Sequence, residues 1–168
     1  GTNMQRQAVP LVTPKAPLIG TGMEGLAASA AGSCCLAEED GEVTSADANE
    51  ISVIYKSGRK ETYNLASFQR TNQGTCFTMR PRVRTGDTVK RGQSRADGSS
   101  VEHGELALGQ NLTVAYMSWQ GYNFEDAVII SDRIVHDGLF DSIHIESYVT
   151  DVRDTKLGSE TVTRDIPN

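Results

Sequence analysis

Two adjacent carboxylic acids, Glu125 and Asp126, stand between an aromatic-rich loop and the apolar run Val128–Ile130. Burying such a pair without partners is costly. Carboxylates are natural ligands for a hard cation such as Mg²⁺, which takes one or two of them together with substrate phosphates. The pair therefore predicts a candidate magnesium site, and a solvated pair of surface acids is the alternative. A structured loop is favoured by its aromatic side chains, Trp119, Tyr122 and Phe124.

A second group of residues suited to binding lies near the start of the chain, where Arg6 and Gln7 end the run Asn3–Gln7. A guanidinium and side-chain amides on an extended segment bond well to phosphate oxygens and ribose hydroxyls. The residues indicate a candidate nucleic-acid contact. The residues alone favour the alternative, a solvated terminus.

A glycine-rich motif at Gly20, Gly22 and Gly25 matches G-x-G-x-x-G. A dinucleotide site needs that motif between a strand and a full helix. Here a proline-rich segment precedes it and Gly32 ends any helix early, so a tight loop is predicted and dinucleotide binding is the weaker alternative.

The run Gly86–Gln93 resembles the G-D-x-V-x-x-G-Q pattern of biotinyl and lipoyl carrier domains. Those domains present a modified lysine between two methionines at a hairpin tip, and no such methionines flank Lys90. We expect the strand-and-turn geometry to persist without the carrier function. A non-catalytic carrier-like or interaction module stays the alternative function.

The elements that must position these groups are predicted to be mainly β, with a minor α component. Residues 1–25 are expected to form an extended arm because Pro10, Pro14 and Pro17 block a helix. Residues 26–31 form at most one or two helical turns. Alternation at 51–55, a glycine turn and a return at 62–65 predict a hairpin.

The second half of the chain is predicted to contain three further strands and one helix. Ser131 is a good N-cap and Gly138 a stop signal, so a helix is expected near 131–137. The apolar patterns predict strands at 112–116, 128–130 and 143–149.

Composition limits the class of protein. The 168 residues include 38% hydrophobic and 6% aromatic residues and carry a net charge of −6, so one domain with a lean core is expected. No apolar run is long enough for a membrane span. The acidic balance argues against an autonomous nucleic-acid binder, but not against a piece of a larger machine. Three cysteines without C-x-x-C favour reduced, cytoplasmic thiols and no zinc site.

The sequence resembles the β subunit of bacterial DNA-dependent RNA polymerase. The resemblance spans the whole chain and is weakest between Ser33 and Tyr63. It rests on long matching segments that occur in the same order as in the family: residues 3–10, 20–24, 70–76, 104–111, 121–127, 142–145, 153–158 and 164–168.

The resemblance implies an internal fragment, running from just after the rifamycin and fork region to the start of the flap. Its first residue, Gly1, fits a chain that is processed, tagged or excised. Residues 26–103 would belong to a β-rich sandwich-barrel hybrid. Residues 104–168 would form part of a double-psi β-barrel leading to the flap.

The function that the resemblance implies is DNA-templated RNA synthesis by Mg²⁺-dependent nucleotidyl transfer. The principal metal ligands would lie on the β′ subunit. Asp126 would be a ligand of the second Mg²⁺ through water and Glu125 would support it. Arg6 and Gln7 would lie near the RNA end of the hybrid, with a structural ion pair as the alternative for Arg6.

The implied partners are the β′, α, ω and σ subunits, template DNA, nascent RNA and nucleoside triphosphates, with no membrane. The enzyme would be cytoplasmic and nucleoid-associated, and the fragment alone inactive.

Several residues depart from the family pattern. Arg82, Ser94 and Arg95 occupy positions that are usually apolar, and Ser118 and Ser159 replace common prolines. Because a buried arginine is expensive, these sites are expected either to be open at the surface or to be repacked.

Overall fold

The computed structural model describes residues 2–166, so Gly1 of the expected arm and Pro167 and Asn168 of the expected barrel segment lie outside the described residues. The helices are α1 (Thr2–Gln7), α2 (Glu24–Ala30) and α3 (Asp132–His136). The strands, in chain order, are β1 (Cys34–Leu36), β2 (Gly41–Ala46), β3 (Glu50–Tyr55), β4 (Lys60–Asn64), β5 (Gln69–Arg70), β6 (Cys76–Phe77), β7 (Arg80–Pro81), β8 (Thr88–Val89), β9 (Ser94–Asp97), β10 (Val101–Glu102), β11 (Glu105–Leu106), β12 (Asp154–Thr155) and β13 (Gly158–Ser159). The mainly β class with a minor α component is confirmed.

A four-stranded antiparallel sheet runs in the order β4-β3-β2-β8. Its strand β3 buries every second residue, with Ile51, Val53 and Tyr55 in the core. Branched and aromatic side chains at this spacing suit one buried face of a strand. Gly58, in the turn to β4, has a φ of +83°, a conformation that glycine adopts without strain. The predicted hairpin is confirmed.

A three-stranded antiparallel sheet, in the order β1-β9-β7, shares the core of the first sheet. Ala96 of β9 packs in one cluster with Val43 and Val89 of the four-stranded sheet. Helix α2 packs through Ala28 against Cys34 and Val101 in a second, smaller cluster. The short helical turn predicted at 26–31 is confirmed.

Arg95 lies in β9 and is fully buried, with 0% of its surface exposed. Its Nη2 donates to the carbonyl oxygen of Leu36 and lies 3.3 Å from the Sγ of Cys35, and its Nη1 lies 3.4 Å from the Tyr55 hydroxyl. Its Cζ stands 3.4 Å from the centroid of the Tyr63 ring. A surface position for Arg95 is therefore wrong, and the core is repacked around a stacked, hydrogen-bonded guanidinium.

Arg82 and Ser94, two further departures from the family pattern, lie closer to solvent than Arg95. Arg82 is partly exposed and donates to the ring of His103, and its Nε lies 3.5 Å from Oδ2 of the buried Asp97. The half-buried Ser94 donates to Oδ1 of Asp97 at 2.8 Å. The backbone N–H groups of His103 and Gly104 complete the hydrogen bonding of that carboxylate.

Residues 108–166 pack differently, because none of them is buried. Helix α3 forms as predicted, with the Ser131 side chain accepting from the backbone N–H of Arg133. The predicted strands at 112–116 and 128–130 are wrong, because neither segment pairs with a strand in the described chain. Alternation supplies a preference for strand, whereas a paired and buried neighbour is needed to form one.

The strand predicted at 143–149 is also wrong beyond a single bridge. His144 bridges Thr75, and the N–H of Ile145 donates to the carbonyl of Gly74 at 2.7 Å. The short hairpin β12–β13 was not predicted.

The prediction for the N-terminal segment is wrong in one part. Residues 2–7 form α1 rather than an extended chain, because Pro10 lies beyond the helix and blocks only its continuation. Residues 8–23 contain no helix, as their prolines predict.

The sheets of the described residues are open, and none closes into a barrel. No helix within residues 2–166 is long and apolar enough to cross a membrane.

Candidate functional site

The loop before the acidic pair is held by one asparagine side chain. Asn123 Oδ1 accepts from the N–H of Trp119 at 2.9 Å, and its Nδ2 donates to the carbonyl of Met117 at 2.7 Å. The N–H of Tyr122 donates to the carbonyl of Trp119 at 2.9 Å. The loop is structured as expected, but the expected cause is wrong, because its aromatic side chains are exposed: Trp119, Tyr122 and Phe124.

The acidic pair occupies the next turn, where the N–H of Ala127 donates to the carbonyl of Phe124 at 3.2 Å. Glu125 has a φ of +55°, a left-handed conformation that costs a non-glycine residue about 1 kcal/mol. Glu125 and Asp126 are both exposed, and neither carboxylate forms a hydrogen bond or ion pair within the described residues. Two free carboxylates at adjacent positions are open to bind a cation from solvent.

Two carboxylates do not make a complete metal site. No group of three or more His, Cys, Asp or Glu side chains within residues 2–166 has the arrangement that could hold a metal ion. The oxygen donors of Glu125 and Asp126 fit a hard cation in type, and further ligands would have to come from water, phosphate or another chain.

The candidate RNA-binding residues lie at the end of α1. The Nη2 of Arg6 donates to Oδ1 of Asn3, one helical turn earlier, at 2.5 Å. Arg6 and Gln7 are exposed, and no ion pair of Arg6 is formed in the described part of the chain. The alternative of an ion pair holding the arm is therefore not seen there, and the guanidinium presents its remaining donors to solvent.

Residues that the sequence did not single out attach the arm to the rest of the chain. Oε1 of Glu102 accepts from Nζ of Lys15 at 2.9 Å, and its Oε2 accepts from the N–H of Ala16 at 2.6 Å. The Ala16 hydrogen bond, helped by Lys15, lowers the pKa of the Glu102 carboxyl below its usual value. These partners are 86 and 87 positions apart, and no local pattern in the sequence marks them.

The same arm is also held by the segment that leads towards the acidic pair. The N–H of Lys15 donates to the carbonyl of Gly109 at 2.9 Å. Asn111 Nδ2 donates to the carbonyl of Ala16 at 2.8 Å, and its Oδ1 accepts from the N–H of Leu18 at 3.2 Å. We name the contacts of residues 15–18 with Glu102, Gly109 and Asn111 the arm clasp.

The two halves of the candidate site are joined only indirectly in the described residues. No hydrogen bond or ion pair there links Arg6 or Gln7 with Glu125 or Asp126. The arm clasp connects the segment after α1 to the segment before the acidic loop.

The glycine-rich motif does not have the surroundings of a dinucleotide site. Glu24 accepts hydrogen bonds from the N–H groups of Thr21 and Gly22 at 2.8 and 2.9 Å, and they lower the pKa of its carboxyl. These donors are therefore already occupied by a carboxylate. The motif follows a non-strand segment and opens a helix of only 7 residues.

Lys90 does not stand at a carrier-type hairpin tip. It lies in a turn closed by the N–H of Gln93 donating to its carbonyl at 3.0 Å, so the strand-and-turn geometry is confirmed. The flanking strands belong to different sheets, since β8 pairs with β2 and β9 pairs with β1 and β7.

The sequence model of the family described as RNA polymerase Rpb2, domain 6, matches residues 36–168. The chain belongs to this family. The Rpb2 domain 6 match includes the acidic pair and the clasp residues Glu102, Gly109 and Asn111, but it starts after α1 and after residues 15–18.

Curated proteins named DNA-directed RNA polymerase subunit beta are similar to the chain over its whole length. Identity is 56% with the proteins of Caldicellulosiruptor saccharolyticus and Caldicellulosiruptor bescii, and 54% with that of Streptococcus gordonii. Each match covers 100% of this chain and 14% of the relative. The resemblance inferred from the motifs is confirmed.

Proposed function

We propose that this chain is a segment of a DNA-directed RNA polymerase β subunit and contributes to the site of RNA synthesis. The observation that carries the proposal is the 56% identity over all 168 residues with subunits of that name. The exposed carboxylates of Glu125 and Asp126, free of partners in the described chain, are consistent with it.

Asp126 is assigned the role of a ligand, through water, of the second Mg²⁺ with its nucleoside triphosphate, and Glu125 a supporting role. Their exposure on an ordered loop supports this assignment, because a carboxylate already bound within the fold would have to be released first. The metal, when bound, would neutralise charge on the triphosphate. The remaining ligands would come from the β′ subunit.

Arg6 and Gln7 are assigned the contact with the RNA end of the hybrid. Both side chains are exposed at the end of α1, and Arg6 keeps guanidinium donors that its bond to Asn3 does not use. Phosphate oxygens and ribose hydroxyls accept from such donors.

The assembled enzyme would include the β′, α, ω and σ subunits and act on template DNA in the cytoplasm, in association with the nucleoid. Residues 26–103 would lie in the sandwich-barrel hybrid, and residues 104–168 in part of a double-psi barrel completed by other segments. The isolated chain would be inactive, because two exposed carboxylates cannot hold the metals alone.

The test is RNA extension by the reconstituted enzyme carrying Asp126→Ala in its full-length β subunit. We expect the rate to fall about tenfold or more, with partial recovery at higher Mg²⁺ concentration, because a lost metal contact weakens metal affinity. Asp151→Ala removes a matched exposed carboxylate in the same half of the chain and should extend RNA at the parent rate. Parent rates for Asp126→Ala at every Mg²⁺ concentration would remove Asp126 from the site.

A further inference from the structure

The arm clasp lies between the two halves of the candidate site. On one side of it, eight residues separate Gln7 from Ala16. On the other side, Asn111 leads into the segment that carries the acidic pair. The clasp is therefore one of the connections through which the position of α1 depends on the rest of the chain.

The segment between α1 and the clasp is stiff. Pro10 and Pro14 each fix one backbone dihedral there. The N–H of Val12 donates to the carbonyl of Asp141 at 2.8 Å, which adds a second attachment on the far side of the acidic loop. A stiff connector transmits a displacement at Ala16 to Gln7, whereas a flexible one would absorb it.

Glu102 holds the clasp with both of its carboxylate oxygens. One oxygen serves the ammonium of Lys15, and the other serves the backbone N–H of Ala16. The carboxylate is mostly shielded, with 19% of its side chain exposed, whereas Lys15 is 57% exposed. The backbone contact should therefore matter more than the ion pair, because exposed ion pairs contribute little.

We propose that Glu102 is a positioning residue for RNA, which fixes the arm so that Gln7 at the end of α1 meets the RNA end. The inference rests on the proposed RNA contact of Gln7. Glu102 itself touches no substrate and acts through the backbone of Ala16.

The experiment uses the polymerase reconstituted with full-length β subunit, a DNA template and a short RNA primer. The KM for the primer and the kcat at saturating primer are measured for Glu102→Ala, Gln7→Ala and the double variant. We expect Glu102→Ala to raise the primer KM about fivefold, the size of effect that loss of one typical hydrogen bond produces. The kcat and the Mg²⁺ concentration for half-maximal rate should stay at parent values.

The double variant separates positioning from a general structural effect. If Glu102 acts through Gln7, then Glu102→Ala should add little to the KM of an enzyme that already carries Gln7→Ala. Glu102→Gln keeps one oxygen acceptor and should fall between the parent and Glu102→Ala. Lys56→Met breaks another exposed ion pair, with Asp40 at 3.1 Å, and should leave the primer KM unchanged.

The outcomes distinguish the two proposals. If Gln7→Ala raises the primer KM but Glu102→Ala does not, or if their effects multiply, the positioning role is overturned and the RNA contact stands. If Gln7→Ala leaves the KM unchanged, the RNA contact is overturned and the positioning role with it. If Glu102→Ala fails to assemble, Glu102→Gln decides by the same criterion.

Discussion

Residues 33–107 and residues 108–166 differ in how they bury their apolar side chains. The first region places Val43, Ile51 and Val53 in a shared core between two sheets. The second region has no buried residue in its described part, although it contains many large apolar side chains. Most of those are well exposed, among them Val128, Ile129, Ile130, Tyr148, Val149 and Leu157.

The two regions are held in their conformations by different interactions. The first region is held by burial, which contributes roughly 25 cal/mol per Å² of apolar surface. The second is ordered by local hydrogen bonds, such as those of Asn123 and of Ser131 at the start of α3. The acidic pair lies in the second region, so its carboxylates sit on a part of the chain that has no core of its own.

Replacing a core side chain should therefore affect the two regions very differently. Ile51→Ala should lower the free energy of unfolding by about 3 kcal/mol, because Ile51 is 0% exposed and its removal leaves a cavity. Ile129→Ala makes the same change at a side chain that is 47% exposed and should cost less than about 0.5 kcal/mol. Urea denaturation followed by circular dichroism measures both values, and equal losses would contradict the comparison.

Arg95 supplies the next largest effect. Arg95→Ala should cost roughly 2 kcal/mol, since it leaves the Leu36 carbonyl without its donor and removes the stacking on Tyr63. The expected cost is below that of a well-paired buried ion because the Nε of Arg95 has no hydrogen-bond partner within the described residues. Arg153→Ala, at an exposed arginine of the second region, is the matched control and should lie within about 0.5 kcal/mol of the parent.

Sequence reasoning succeeded where the determinants are local. The hairpin of β3 and β4 follows from alternation and Gly58, and α3 follows from Ser131 and Gly138, which all act within a few residues. The sequence marks the acidic pair and Arg6 as candidate site residues, and their functional roles remain predictions.

Sequence reasoning failed where a structural feature depends on residues that lie far apart in the chain. The apolar run Val128–Ile130 predicts a buried strand, but burial depends on a neighbour that this run does not find in the described chain. The role of Glu102 depends on Ala16, and that of Arg95 on Leu36 and Tyr63, so each needs the tertiary structure. A buried arginine also has no periodic signal that separates it from a surface one.

The stability of the chain should depend on pH through Glu102, which lies near the boundary between the two regions. Its pKa is lowered in the folded chain by the Ala16 hydrogen bond and by Lys15. A carboxyl with a lowered pKa contributes stability above its unfolded pKa, and that contribution is lost as the pH falls through the folded pKa. Glu102→Gln should therefore reduce the loss of stability between neutral pH and acid.

Thermal unfolding across that pH range measures the effect, which should be smaller than those at Ile51 and Arg95. Glu105→Gln, at an exposed glutamate of the paired strand β11, is the control and should keep the parent's acid response. If Glu102→Gln and the parent lose the same stability in acid, the arm clasp does not contribute to the link between the regions.

The smallest effect concerns the acidic loop, where Asn123 supplies the side-chain hydrogen bonds that hold the loop. Trp119 is the single tryptophan of the chain, and its backbone N–H donates to Oδ1 of Asn123. Asn123→Ala should lower the fluorescence anisotropy of Trp119 and increase its quenching by acrylamide. The free energy of unfolding should change by less than about 1 kcal/mol, since the two lost hydrogen bonds are exposed.

Asn123→Asp keeps the oxygen that accepts from Trp119 but loses the donor to the Met117 carbonyl. The Trp119 anisotropy of this variant should therefore lie between those of the parent and of Asn123→Ala. If Asn123→Ala instead lowered stability as much as Ile51→Ala, the acidic loop would be coupled to the core. The two regions would then unfold as one unit, and the separation between burial and local hydrogen bonding would not describe this chain.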